Sequence, residues 1–218
     1  MAGLNQPIRV HLASQRPLMR AGLRRFLETA PDIELVGENS EIGQLASHQC
    51  LQVLLMDGSR ADRRSLVRTI EEVQRQCPAT AILVLLAQDE DASLATLLTT
   101  DISGVVPDDI DGEALNDAVR QAAQGKVLFT GEQIRRAQRW QAEVQKPWLA
   151  LTQREREVAA LLTQGMDNRS IAAQLALEVR TVEGHVSRLM EKLGVASRAA
   201  AVAWMRDHAP GTDRPTRP

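Results

Sequence analysis

VRTVEGHVSRLMEKLGV, residues 179–195, carries the clearest periodicity in the chain. Val182, Val186, Leu189 and Leu193 recur at spacings of four, three and four, which sets them on one stripe of a helix. Glu183, Gly184, Ser187, Arg188 and Glu191 then fall on the other side. Thr181 reads as a start signal and Gly194 as a stop.

Upstream, Asn168 can cap a short helix with Ile171, Ala172 and Leu175 on its apolar side. Residues 176–179 have about the length of a helix-turn-helix corner. Further back, Thr152 with Glu155 three residues on is a capping box, Val158, Leu161 and Leu162 form an inner face, and Gly165 ends the helix. Downstream, residues 198–205 read as an Ala-rich fourth helix. Four short helices with one polar stripe fit a recognition helix for the DNA major groove, and equally an ordinary small bundle.

LTQREREVAALLTQGMDNRSIAAQL followed by RTVEGHVSRLMEKLGVASR closely resembles the C-terminal DNA-binding domain of LuxR-type regulators. The resemblance implies that the helix at 179–195 enters the major groove. It implies base-edge contacts near Glu183, Gly184 and Ser187, and phosphate contacts near Asn168, Arg169, Arg180, Thr181, Arg188 and Lys192. It also implies a dimer contact on the last helix, through Ala201, Val202 and Met205, or on the fourth and fifth helices of the N-terminal half. The chemistry suits those roles. Arg and Lys neutralise phosphates, and a helix N-terminus offers N–H groups to another. Glu183 can accept from a cytosine amino group, or can be solvated or paired with Arg. Gly184 costs about 1 kcal/mol inside a helix, which either permits close approach to DNA or marks a tolerated weak position. His185 has no Cys or second His at ligand spacing, so no metal is expected.

The 218 residues suggest one large or two small domains. Net charge is −2, which is not the global signature of a nucleic-acid binder. From residue 147 onward Lys and Arg outnumber Asp and Glu by only two, so DNA affinity must come from local placement and dimerisation. With no long apolar run or signal-peptide pattern, the expectation is a cytoplasmic protein that does not enter membranes. Cys50 and Cys77 lack metal or redox spacing and read as reduced.

The N-terminal half alternates. Apolar runs at 8–13, 33–36, 53–56, 82–87 and 104–106 are separated or followed by helical patterns at 18–27, 42–46, 63–73, 92–98 and 113–123. Five strands and five helices argue a parallel, doubly wound sheet whose function lies at the carboxyl ends of its strands. No dinucleotide fingerprint, phosphate loop, nucleophile–base pair or metal cluster appears there, so neither enzyme activity nor a cofactor is expected. One acid, Asp57, ends the third strand.

IRVHLASQRPLMRAGLRRFLE, VLLMD and ISGVVPDD resemble the receiver domain of NarL/FixJ-type response regulators, with Asp57 as candidate phospho-acceptor. Five positions depart from that family. Ser14 and Gln15 stand where it has an acid pair, Leu86 where it has Thr or Ser, Asp108 where it has Lys, and Val105 where it has an aromatic switch. Mg²⁺-assisted phosphoryl transfer needs oxygen ligands, usually carboxylates, and charge compensation that these residues do not supply. Asp108, if near Asp57, adds like-charge repulsion. Asp57 then reads as a structural acid paired with Arg16 or Arg60.

Residues 132–145 read as a linker helix, with Ile134, Ala137, Trp140 and Val144 at helical spacing and Pro147 at its boundary. Trp140 suits a dimer or interdomain anchor, or a ring covering a neighbouring surface. The expected architecture is α/β plus all-α. A flavodoxin-like (βα)5 pseudo-receiver at 1–125 precedes a linker at 126–148, a four-helix LuxR-type helix-turn-helix domain at 149–208 and a disordered Pro-rich tail at 209–218. The expected function is a homodimeric, sequence-specific regulator of transcription that binds double-stranded DNA independently of aspartyl phosphorylation. Two alternatives stand beside it: a receiver half that senses an unidentified small molecule or protein, and a conventional phospho-activated receiver at Asp57.

Overall fold

VLLMD and AILVLL have no polar alternation, the pattern of strands covered on both faces. They form β3 (Val53–Asp57) and β4 (Ala81–Leu86), buried at every position but Ala81. With β1 (Ile8–Ala13), β2 (Ile33–Asn39) and β5 (Gly104–Pro107) they make a five-stranded parallel sheet in the order β2-β1-β3-β4-β5. The computed structural model describes residues 6–40, 51–59, 61–88 and 90–208. The expected helix at 42–46, Cys50, Arg60 and the tail at 209–218 lie outside them.

Around the sheet run α1 (Pro17–Leu27), α2 (Arg63–Gln76), α3 (Asp91–Leu97) and α4 (Gly112–Ala123). Val10, Leu12, Val53, Leu55, Leu83 and Leu85 pack with Leu23 and Leu27 of α1 and Leu115 and Val119 of α4. The alternate residues Leu54, Met56, Ile82 and Val84 are equally buried and face the opposite side, as strand periodicity requires. Asp62 and Asp111 cap α2 and α4 by accepting from the backbone N–H groups of Ser65 and Ala114 at 2.8 Å. The β1–β2 register shifts between Val10 and His11. Gly37 pairs with His11 there, and a Cβ on Gly37 would stand 2.9 Å from His11 Nδ1, so the glycine makes room for the buried imidazole.

The linker is helical but not uniform: α5 (Gly131–Trp140), a π-helical turn (Gln141–Gln145) and α6 (Lys146–Ala150). Pro147 therefore sits within a helix instead of ending one. It cannot donate to the carbonyl four residues back and its ring crowds that carbonyl. The wider π turn relieves both, with Lys146 N–H bonded to Gln141 C=O five residues back. Ala137 and Val144 are buried and Trp140 is half-buried, whereas Ile134 is exposed. The chain divides into two compact units, Met1–Gln138 and Arg139–Pro218.

The second unit contains α7 (Gln153–Thr163), α8 (Asn168–Leu175), α9 (Val179–Leu193) and α10 (Arg198–His208). The Thr152–Glu155 capping box is present. Asp167, not Asn168, caps α8, accepting from Ser170 N–H at 2.8 Å. The corner turns on Ala176 in the left-handed region (φ 53°), a conformation costing about 1 kcal/mol outside glycine. Here the corner fixes it, with Leu177 N–H donating to Ala172 C=O at 2.9 Å. α9 starts at Val179, two residues before the expected Thr181, and Glu178 precedes it without a side-chain cap. Gly194 (φ 67°) closes it. Val182, Val186, Leu189 and Leu193 are buried against α7, α8 and α10 residues such as Val158, Leu162, Ile171 and Ala201.

Candidate functional sites: a strand-end carboxylate and the polar side of α9

Asp57 ends β3 with its side chain 2 % exposed. Arg16, just after β1, grips it with a two-pronged fork: Nε donates to Oδ2 and Nη2 to Oδ1, both at 2.7 Å. Ser14 Oγ donates to Oδ2 at 2.7 Å and Ser59 N–H to Oδ1 at 3.3 Å. Asp108, beyond β5, joins the same group, accepting from Arg16 Nη2 at 3.3 Å and Ser59 Oγ at 3.0 Å. One guanidinium thus bridges two carboxylates from different strand ends and offsets the repulsion expected between them. The Asp57 hydrogen bonds raise the pKa of Arg16 above its ordinary value and keep it a fixed cation. Of the two expected partners of Asp57, Arg16 is in place.

The other positions singled out in the receiver half lie near these strand ends. Gln15 is exposed beside Arg16, Leu86 closes β4 and Val105 lies within β5, both buried. Leu86, Leu94, Val105 and Pro107 line one side of a cleft of about 260 Å³, with Thr130, Gln133 and Arg136 on the other. Among the described residues no His/Cys/Asp/Glu cluster could hold a metal ion, and no helix is long and apolar enough to cross a membrane. Cys77 is free and half-buried.

On α9 the polar side presents Arg180, Thr181, Glu183, Ser187 and Arg188 exposed, with Gly184 half-buried among them. A Cβ on Gly184 would meet only the Arg188 Nη2 atom, at 3.8 Å, so no packing inside the protein demands glycine there. Arg188 Nη2 also lies 3.3 Å from His185 Nδ1, which places His185 in a hydrogen-bonding role. Arg169 is exposed on α8. Three of the expected phosphate-contacting residues, Arg188, Asn168 and Lys192, are already engaged within the unit. Asn168 Oδ1 accepts from Arg198 Nη1 at 2.8 Å, and Lys192 Nζ donates to Glu155 Oε2 at 2.7 Å. Glu155 is buried, also accepts from Thr152 N–H at 2.8 Å, and has Arg188 Nε at 3.7 Å. Burial alone pushes its pKa up, but the Lys192 and Thr152 bonds outweigh burial and hold the carboxyl below its ordinary value. Ala201 and Met205 are 0 % and 3 % exposed in this unit's core, so a dimer contact on α10 cannot use them; Val202 remains half-buried.

The family described as bacterial regulatory proteins, luxR family, matches residues 149–205. The nitrate/nitrite response regulator protein NarP of Escherichia coli (strain K12) is 31 % identical over 201 residues, spanning 89 % of this chain and 93 % of NarP. The chain belongs to the NarL/FixJ-type response regulators. These are DNA-binding transcription regulators, and the five-stranded receiver sheet followed by a helix-turn-helix unit is their architecture. The response regulator ChrA of a heme-sensing two-component system has 30 % identity and a TM-score of 0.56, covering 92 % of this chain and 97 % of ChrA. RcsB, in a structure of two dimers bound to two parallel DNAs, has 25 % identity and a TM-score of 0.56, covering 92 % of this chain and 98 % of RcsB.

The sequence named Arg16 as a candidate partner of Asp57, but short-range signals did not expose the bridging of Asp57 and Asp108 by Arg16 or the Glu155–Lys192 pair in this response regulator. Their members are 41, 92 and 37 residues apart and meet only through the fold.

Proposed function

We propose that this response regulator reads DNA through α9 without needing phosphate on Asp57. The observation that carries this reading is the Arg16 fork, which engages both Asp57 carboxylate oxygens at 2.7 Å while Ser14 takes a further lone pair. A phospho-acceptor must offer an oxygen for in-line attack beside Mg²⁺. Here the nearest charge is a fixed cation, and Ser14 and Gln15 stand at the end of β1. The test is incubation of the full chain with acetyl phosphate or beryllofluoride and Mg²⁺. Intact mass and binding to duplexes selected by the protein from a randomised pool are the readouts. The expected result is no adduct and unchanged affinity; an Asp57 adduct with tighter binding sinks the proposal.

On the DNA side, Glu183, Gly184 and Ser187 face base edges, while Arg169, Arg180, Thr181 and Arg188 contact phosphates. Lys192 divides its charge between Glu155 and the DNA. RcsB dimers are described on DNA, and by that likeness two copies of this chain bind half-sites about one helical turn apart. Arg188→Ala is expected to weaken binding to all sequences and to lower the salt slope by about one. Affinity unchanged at moderate salt counts against the docking. A second reading places a small-molecule site in the cleft beside Leu86 and Val105, and a thermal-shift screen of metabolites with and without DNA tests it.

A further inference from the structure

Past α4 the chain turns at Gly125 (φ 75°) and lies along the free edge of β5. Leu128 N–H donates to Ser103 C=O at 2.6 Å, and Leu128 bridges Gly104 in parallel. A Cβ on Gly104 would stand 2.6 Å from Leu128 Cβ and 2.7 Å from its carbonyl oxygen, so only glycine admits this approach. Thr130 and Gln133 then cap α5 reciprocally: Gln133 Oε1 accepts from Thr130 N–H at 2.8 Å, and Thr130 Oγ1 accepts from Gln133 N–H at 3.1 Å. With its Nε2, Gln133 donates to the outward carbonyl of Val105 at 2.9 Å. One turn later Arg136 Nε donates to Asp91 Oδ1 at 2.8 Å, and its Nη2 reaches the same carboxylate and the Gln88 carbonyl. Ala137 is 1 % exposed.

These anchors fasten the start of α5, whose helical run continues through the π turn into α6, to the receiver's edge. We infer that Gln133 on Val105 and Arg136 on Asp91 form a clamp that makes the first half of the linker part of the receiver and so sets the length of the tether to the DNA-reading helices. The inference rests on the paired-half-site reading above. With the clamp closed, the receiver's unit runs to Gln138 and the second unit starts at Arg139; with it open, residues 126–138 join the two as a tether. The effective concentration of the second DNA-reading unit falls as such a tether is released, so paired-site affinity drops severalfold. Asp91 and Arg136 are both partly exposed, and ion pairs of that kind are weak and salt-screened, so a small perturbation opens the clamp.

The experiment compares the full chain with Gln133→Ala/Arg136→Ala. Amide exchange is followed by mass spectrometry, and affinity is measured for duplexes carrying one or two half-sites drawn from the selected pool. Exchange across 128–137 is expected to quicken at least tenfold with β1 and β3 unchanged. Two-site affinity is expected to fall severalfold with one-site affinity unchanged. Asp91→Arg combined with Arg136→Asp, with Gln133 kept, is expected to recover part of both: the ion pair returns, but the bond to the Gln88 carbonyl does not. Unaltered exchange overturns the clamp, and faster exchange with unaltered two-site affinity overturns its coupling to DNA. Wild-type chain that binds one and two half-sites equally overturns the dimer reading instead, while the exchange result still decides whether the clamp exists.

Discussion

Replacing Arg16 by Met keeps the aliphatic stem and deletes the cation that Asp57 and Asp108 share. Asp57 is then a buried carboxylate, its side chain 2 % exposed, left with Ser14 Oγ at 2.7 Å and Ser59 N–H at 3.3 Å. Breaking a fully buried pair costs about 3–5 kcal/mol. Arg16 is one-third exposed, so solvent already weakens its side of the pair, and the expected loss is about 2–3 kcal/mol. Trp140, Trp148 and Trp204, the three tryptophans of the chain, all belong to the second unit, so fluorescence follows that unit and far-ultraviolet circular dichroism follows both. In urea, the dichroism transition absent from the fluorescence trace should move down by about 1 M, for a slope near 2 kcal/mol/M. Adding Asp57→Asn removes the stranded charge and should recover most of the loss. An Arg16→Met chain within about 0.5 kcal/mol of wild type, or a double variant no more stable than the single, would falsify the assignment of Arg16 as the counter-ion of a buried acid.

Gly184→Ala fills open space on α9 and should stabilise the second unit by up to about 1 kcal/mol, while weakening binding to the selected duplex; tighter binding would remove Gly184 from the DNA-facing surface. Glu155→Ala deletes half of a capping box and the Lys192 pair together and should cost about 2–3 kcal/mol, read by tryptophan fluorescence. His11 is buried with no hydrogen-bond partner for Nε2 among the described residues, and burial holds its pKa below the ordinary value against smaller upward pulls from Asn39 and Glu38. The unfolded chain protonates this imidazole below about pH 6.5 and the folded chain only at lower pH, so the unfolded state binds more protons in that window. Receiver stability should therefore fall as pH drops from about 7 to 5, and His11→Gln should remove that part of the slope.

What the sequence made legible followed distance along the chain. β3 and β4 declare themselves because every residue is apolar up to Asp57, and the stripe of α9 does so because four residues repeat over about three turns. Ends were less legible. Asp167 and Asn168 are both good caps, and backbone geometry chose the first. Thr181 looks like a cap, yet α9 begins two residues earlier because the left-handed Ala176 completes the corner sooner. Pro147 looks like a terminator, but a π turn absorbs it. The α10 stripe of Ala201 and Met205 carries the same apolar signal whether it meets a second copy or its own core, and burial assigns it to the core. Asp57 was visible as a strand-end acid, but the bridging of Asp57 and Asp108 by Arg16 needed three strand ends to be brought together.

The contacts of α9 also draw a boundary for redesign. On the proposed docking Thr181, Glu183, Gly184 and Ser187 face the operator; their side chains make no hydrogen bond or ion pair among the described residues, so exchanging them leaves the scaffold in place. Lys192 belongs to another class, because its partner is the acid that caps α7. A helix transplanted from a relative must bring a cation to that position or carry a replacement for Glu155 with it. The unit of exchange is therefore α9 together with one residue from α7.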